Sequence, residues 1–249
     1  MNVMTEVGDR VSILERGLRD IFGSRLQSLV AYGLQAAAPS GAPGPHAAHV
    51  EPPPTQTLTI VETLTGVDLT ACAACAARWH EAGLATPLLL AANEFERSLD
   101  AFPLEFGAIL ADHVVVAGSN PFDGLRVDPA DIRRACEVQA RSHLLHLREG
   151  FLETRGRADA LAVLIVRSAA PFAALITSLT RLQGVATNDP AASGRHVERT
   201  LGLPAGAVTD VVKLAHVTEI SSAEATRIFP AYLNAVERLV KYIDGWSAA

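Results

Sequence analysis

The chain has 249 residues, 49% of them hydrophobic and only 5% aromatic, which suffices for one large core or two modest ones and favours helices over a β-sandwich. The formal charge of −6 is held unevenly: residues 1–124 carry 14 acids and 6 bases, whereas residues 125–249 carry 13 acids and 15 bases. That break points to two domains, and the lack of a broad basic face argues against a nucleic-acid partner.

Val11, Leu14, Leu18, Ile21 and Phe22 recur at helical spacing and Gly23 follows as a stop, so the first element is a helix ending near residue 22. Its acids Glu6, Asp9, Glu15 and Asp20 are unlike a secretory leader, and three cysteines predict a reducing, cytoplasmic compartment rather than a disulfide framework. A strand follows from residue 26 and ends at Gly33, apolar through Leu29, Val30, Ala31 and Tyr32 as a strand covered on both faces reads. Residues 35–55 hold six prolines, a density that predicts a mobile loop. The second strand, 57–63, puts Thr57, Thr59, Val61 and Thr63 on one side and Leu58, Ile60 and Glu62 on the other.

A helix over 68–82 with Leu69, Cys72, Ala76 and Trp79 on its apolar face comes next, then a short buried strand over 86–91 and a helix from Asn93 through Phe102. Residues 104–109 and 113–117 read as two more strands. Turn chemistry over 118–124 places the domain boundary there, giving domains 1–124 and 125–249.

The second domain reads as helical throughout. Asp128, Pro129 and Asp131 supply an N-cap, a first-turn proline and a favourable charge at the head of a helix to about residue 154. Further helices are predicted over 158–183, as a broken pair over 196–217, and after the capping box Ser221–Glu224, with the stripe Ile228, Tyr232, Val236, Leu239 and Ile243. Residues 160–179 carry a single charge, Arg167, and are long enough to span a bilayer. Arg167 near the middle and Pro171 one turn later instead predict a buried bundle helix and no membrane partner. The fold class is therefore α+β, a small mixed sheet with flanking helices followed by a helical bundle.

Cys72 and Cys75, with His80 nearby, lie beside the apolar stripe and read as structural cysteines, with no second pair to make a metal site. On the helix 128–154, Arg134, Glu137, Arg141 and Arg148 form one stripe, and Cys136, Ala140, Leu144, Leu147 and Phe151 form the core face. The stripe reads as a solvated face with Glu–Arg pairs. Turned toward a ligand, the same arginines would grip phosphate or carboxylate.

Residues 22–33, 57–61 and 104–106 together make the chain resemble the nucleotidyltransferase superfamily, in particular bacterial two-domain proteins of the kanamycin nucleotidyltransferase type. Residues 22–33 look like the helix end and first strand leading to the family's Gly-Ser, and 57–61 look like the strand carrying its Asp-x-Asp. Leu104, Glu105 and Phe106 stand where a strand with a third carboxylate is expected, and residues 129–246 are similar to the helical domain that closes over substrate. The departures are specific: Leu34 replaces the serine, and Thr57 and Thr59 replace the two aspartates. Neutral hydroxyls hold divalent metals poorly beside carboxylates. The segment Arg141–His146 also fits the Arg-x4-His pattern of helical RNases that partner small nucleotidyltransferases, although packing or surface roles are the simpler reading of His143 and His146.

The resemblance and its departures together imply a degenerate, non-catalytic protein without a metal, binding a small molecule, a nucleotide included, or a partner protein in the interdomain cleft. Tyr32, Gly33, Thr57, Thr59 and Glu105 are expected on one side of the ligand and Arg134 and Arg141 on the other. The enzyme alternative is nucleotidyl transfer to a small hydroxylated acceptor with Glu105 as base, and only that alternative calls for Mg²⁺. A third reading makes the bundle a homodimerisation module with a vestigial cleft.

Overall fold

The computed structural model describes residues 3–34, 54–185, 187 and 189–245, so the loop expected over 35–55 falls almost wholly outside the described residues. The chain is 68% helical with a four-stranded mixed sheet near its N-terminus, and it divides into two units, Met1–Val127 and Asp128–Ala249, each with its own core.

In the first unit, α1 (Val3–Phe22) and a single 3₁₀ turn lead into β1 (Leu26–Tyr32), followed by β2 (Gln56–Val61), α2 (Gly66–Glu81), β3 (Leu88–Ala91), α3 (Ala92–Ala101), α4 (Pro103–Ala111) and β4 (His113–Gly118). The strand order is β3-β2-β1-β4. β1 runs antiparallel to β2 and β4, and β2 runs parallel to β3. Both faces are covered. Leu29, Ala31 and Val61 pack with Val11, Leu14, Leu18 and Phe22 of α1 and Cys72 and Trp79 of α2. On the reverse, Val30, Leu58 and Ile60 pack with Phe95 of α3 and Phe106 and Ile109 of α4, joined by Phe122. Phe95 meets Phe106 and Phe122 edge-on, with ring centroids 5.7 and 5.5 Å apart, the arrangement that the ring quadrupoles favour.

Two expected strands are corrected. Residues 104–109 are helical, not extended: Pro103 presets the first turn of α4, and Phe106 and Ile109, three apart, bury one helical face against the sheet. β3 is a sheet edge rather than a buried strand, with Leu88 39% exposed. The start of α2 is fixed by a reciprocal cap in which the Asp68 N–H donates to Thr65 Oγ1 and the Thr65 N–H donates to the Asp68 carboxylate.

The second unit is built from α5 (Pro129–Glu153), α6 (Ala158–Leu182), α7 (Pro190–Leu201), α8 (Thr209–Val212) and α9 (Ser222–Gly245). Asp128 caps α5 through a 2.8 Å bond from the Ala130 N–H, and Ser221 caps α9 through the Glu224 N–H at 3.1 Å, both as the sequence predicts. α6 is long and apolar enough to cross a membrane by length and composition. Its Ile165, Ala169, Phe172, Leu175, Ile176 and Leu179 are buried together with Ala140 and Leu147 of α5 and Tyr232, Val236 and Ile243 of α9. Glu198, 6% exposed, accepts the Val208 and Thr209 N–H groups at 2.9 and 2.7 Å and so holds the first turn of α8.

Candidate functional site

The ladder between β1 and β2 sets which side chains share a face. Thr57 lies across from Ala31 and Thr59 across from Leu29, so both threonines belong to the face covered by α1 and α2. Each is 0% exposed, and neither hydroxyl has a hydrogen-bond partner among the described residues. The expectation that they line a ligand cavity is therefore corrected. The two-residue period does put them side by side, but a helical layer closes over that side. On the opposite side Leu58 and Ile60 are enclosed by phenylalanines, so neither face of β2 opens to a ligand.

The end of β1 remains accessible. Tyr32 is half-buried on the α3–α4 side, beside Gln56 and His113 in the ladder, and burial raises its phenol above the ordinary value. Gly33, an exposed residue, follows with φ 69°, a conformation that favours glycine, and its backbone N–H donates to the Asp112 carbonyl at 3.1 Å. His113 reaches the Ile109 and Leu110 carbonyls through Nδ1, both at 3.1 Å, and packs 4.9 Å from the Phe122 ring. Its Nε2 is 3.3 Å from the Asn120 side chain. The sequence places His113 at the head of a strand and Asn120 in turn chemistry, and neither position carries a signal of their pairing.

Glu105 is displaced from its expected setting. It is an exposed residue in the first turn of α4, where its charge suits the helix N-terminus, and it is not on a strand. The acid that is tightly held in this unit is Asp68. Arg25 forks onto it with bonds of 3.0 and 2.7 Å and also donates to the Thr63 carbonyl at 3.2 Å. The guanidinium and the Thr65 hydroxyl hold the Asp68 carboxyl well below the usual carboxylate range.

Arg134 and Arg141 both belong to α5. Arg134 is 75% exposed and lies 3.3 Å from Asp131. Arg141 is 2.6 Å from Asp244 of α9 and 3.5 Å from Glu137, and Arg148 is 2.6 Å from Glu237. The stripe is thus a face of Glu–Arg and Asp–Arg pairs. The members of the Arg-x4-His pattern are engaged separately: His146 is exposed 3.5 Å from Glu149, and His143 is 2.6 Å from the Tyr232 hydroxyl. Cys72 is buried and Cys75 half-buried, both free thiols, and burial raises the Cys72 thiol. Among the described residues no three His, Cys, Asp or Glu side chains gather as a metal site.

No protein-family model matches the chain, and no curated protein matches it either. Among solved structures it is similar to the spectinomycin adenyltransferase AAD(9) from Enterococcus faecialis with ATP and spectinomycin, with a TM-score of 0.55 and 10% identity over 93% of this chain and 98% of that one. At that identity the likeness is one of fold. The chain has a nucleotidyltransferase-like fold, a small mixed sheet followed by a helical region.

Proposed function

We propose that this chain is a degenerate nucleotidyltransferase-fold protein that binds a small molecule, nucleotides included, or a partner protein, without two-metal nucleotidyl transfer. One observation carries the reading: among the described residues, none of the four strands contains an aspartate or glutamate. Transfer through divalent metals needs oxygen ligands, carboxylates above all, and the nucleotidyltransferases that the chain resembles carry them at alternate positions of a strand. On β2 those positions are either Thr57 and Thr59 or Leu58 and Ile60, and all four are buried. Tyr32 and Gly33, with the exposed Gln56 beside them, are the proposed ligand contacts of the first unit. In the second unit Arg134 is the proposed anion contact, since an exposed ion pair such as Arg134–Asp131 is worth little and exchanges readily. The test is incubation with labelled ATP, Mg²⁺ and a panel of hydroxylated acceptors that includes spectinomycin. The reading expects no labelled product. Transfer that disappears in Glu105→Gln would overturn it in favour of the enzyme.

A second reading has its own support. Val138, Leu145 and Leu152 of α5 recur every seven residues and are 65%, 63% and 76% exposed, an apolar ridge of the kind that marks association. A homodimer by light scattering that dissociates in Leu145→Glu supports this reading, and a monomer at all concentrations rejects it.

A further inference from the structure

Away from β1 and β2, the second unit contains a groove of about 570 Å³ along the second half of α5 and the first half of α6. Its apolar lining is Leu147, Val163, Leu164 and Pro171. The two helices approach closely because residue 150 is glycine, where an added Cβ would lie 2.5 Å from Leu164 Cδ1.

Two polar features stand at one end. The first is His143, whose ring stacks on Phe172 at 5.2 Å and whose Nε2 lies 2.6 Å from the Tyr232 hydroxyl. The hydrogen bonds behind it run one way. Ser168 donates to the Ile165 carbonyl at 2.9 Å, and Tyr232 donates to Ser168 Oγ at 3.1 Å. With Tyr232 donating to Ser168, its oxygen is the acceptor for His143, which assigns the ring proton to Nε2. Nδ1 is then a fixed acceptor on a groove-lining residue, and burial keeps the ring neutral by lowering its pKa to about 4.

The second feature is Arg167, exposed on the groove wall, with no hydrogen bond or ion pair among the described residues. Pro171, one turn on, offers no N–H to the Arg167 carbonyl, which adds an acceptor beside the guanidinium. Glu153 and Ala160 line the groove toward the connection between α5 and α6. At the helical rise per residue, the seven positions from Ala160 to Arg167 separate the two ends by roughly 10 Å.

We infer that this groove is a binding site for a small organic anion with an apolar body and an N–H or O–H donor. The carboxylate, sulfonate or phosphate pairs with Arg167, the donor bonds to His143 Nδ1, and the apolar body lies on Leu147, Val163 and Leu164. The site is independent of the reading given under the proposed function and stands if that reading fails.

The probe is 8-anilinonaphthalene-1-sulfonate, which carries an anion, an N–H and two apolar rings, compared with neutral N-phenyl-1-naphthylamine. Folded protein is expected to bind the sulfonate at one saturable site, roughly tenfold more tightly than the neutral analogue, as for a charge-assisted bond. Arg167→Gln should remove that preference while the circular dichroism spectrum stays unchanged. Long-range ¹H–¹⁵N correlation on the full chain reads the imidazole directly: His143 should be the Nε2-protonated tautomer, with Nδ1 shifting on addition of the sulfonate. The inference is overturned by the opposite tautomer, by absence of saturable binding, by binding that Arg167→Gln leaves intact, or by a dimer whose formation excludes the probe.

Discussion

Thr59 sits directly across from Leu29 in the β1–β2 ladder, fully buried, with a hydroxyl that has no partner among the described residues. Thr57 repeats the arrangement opposite Ala31. A buried polar group without a bond is costly, and replacing it by a methyl of the same shape removes the cost. Thr57→Val and Thr59→Val should each raise the unfolding free energy by about 1 kcal/mol in urea titrations. Thr59→Asp should lower it by about 3 kcal/mol or more, because it buries an unpaired charge. Stability retained in Thr59→Asp would mean that this face of β2 is open to solvent.

Arg25 and Asp68 make the first unit sensitive to acid. The Asp68 carboxyl titrates below its unfolded value, so its contribution is complete above about pH 4 and is lost as the pH falls further. Thermal melts of Asp68→Asn should show a lower midpoint than wild type at pH 7. The difference should shrink toward pH 2. An equal gap at every pH would mean that the charge of the Asp68 carboxylate contributes nothing to stability.

His143 acts in a different window. Its folded pKa, near 4, lies below the ordinary 6.5, so it costs nothing above pH 6.5, and stability falls as the unfolded chain takes up a proton between pH 6.5 and 4. The full loss is about 3 kcal/mol. In His143→Gln this part of the pH profile should flatten. Tyr232→Phe should lose about 1–3 kcal/mol at pH 7, since it leaves the His143 Nε2–H without its acceptor.

Glu105 tests the enzyme alternative at low risk to the fold. Because it is exposed in the first turn of α4, Glu105→Gln should change stability by no more than about 0.5 kcal/mol. It should also leave ligand affinity unchanged, as measured by calorimetry. A large loss of binding would return Glu105 to the site.

Local signals carried much of the fold. Asp128 and Ser221 announce their helices because a cap is a contact between residues two or three apart, and the strand alternation correctly separates Thr57 and Thr59 from Leu58 and Ile60. What alternation lacks is any record of which face a helix covers. That depends on α1 and α2 packing from elsewhere in the chain, and so alternation alone cannot tell a buried threonine face from one that lines a cavity. Residues 104–109 read as extended because Leu104, Phe106 and Ala108 alternate with Glu105 and Gly107, whereas the spacing of Phe106 and Ile109 suits a helix and Pro103 decides for it. Arg25 with Asp68 and His143 with Tyr232 are 43 and 89 residues apart, and no spacing rule reaches that far.

The account depends on strands that offer no acidic oxygens to magnesium. Calorimetric titration of the full chain with ATP, in EDTA and again in excess Mg²⁺, tests this most directly. Affinities within about threefold of each other, or no binding in either buffer, agree with it. ATP binding that strengthens a hundredfold with Mg²⁺, about 2.7 kcal/mol, would contradict it.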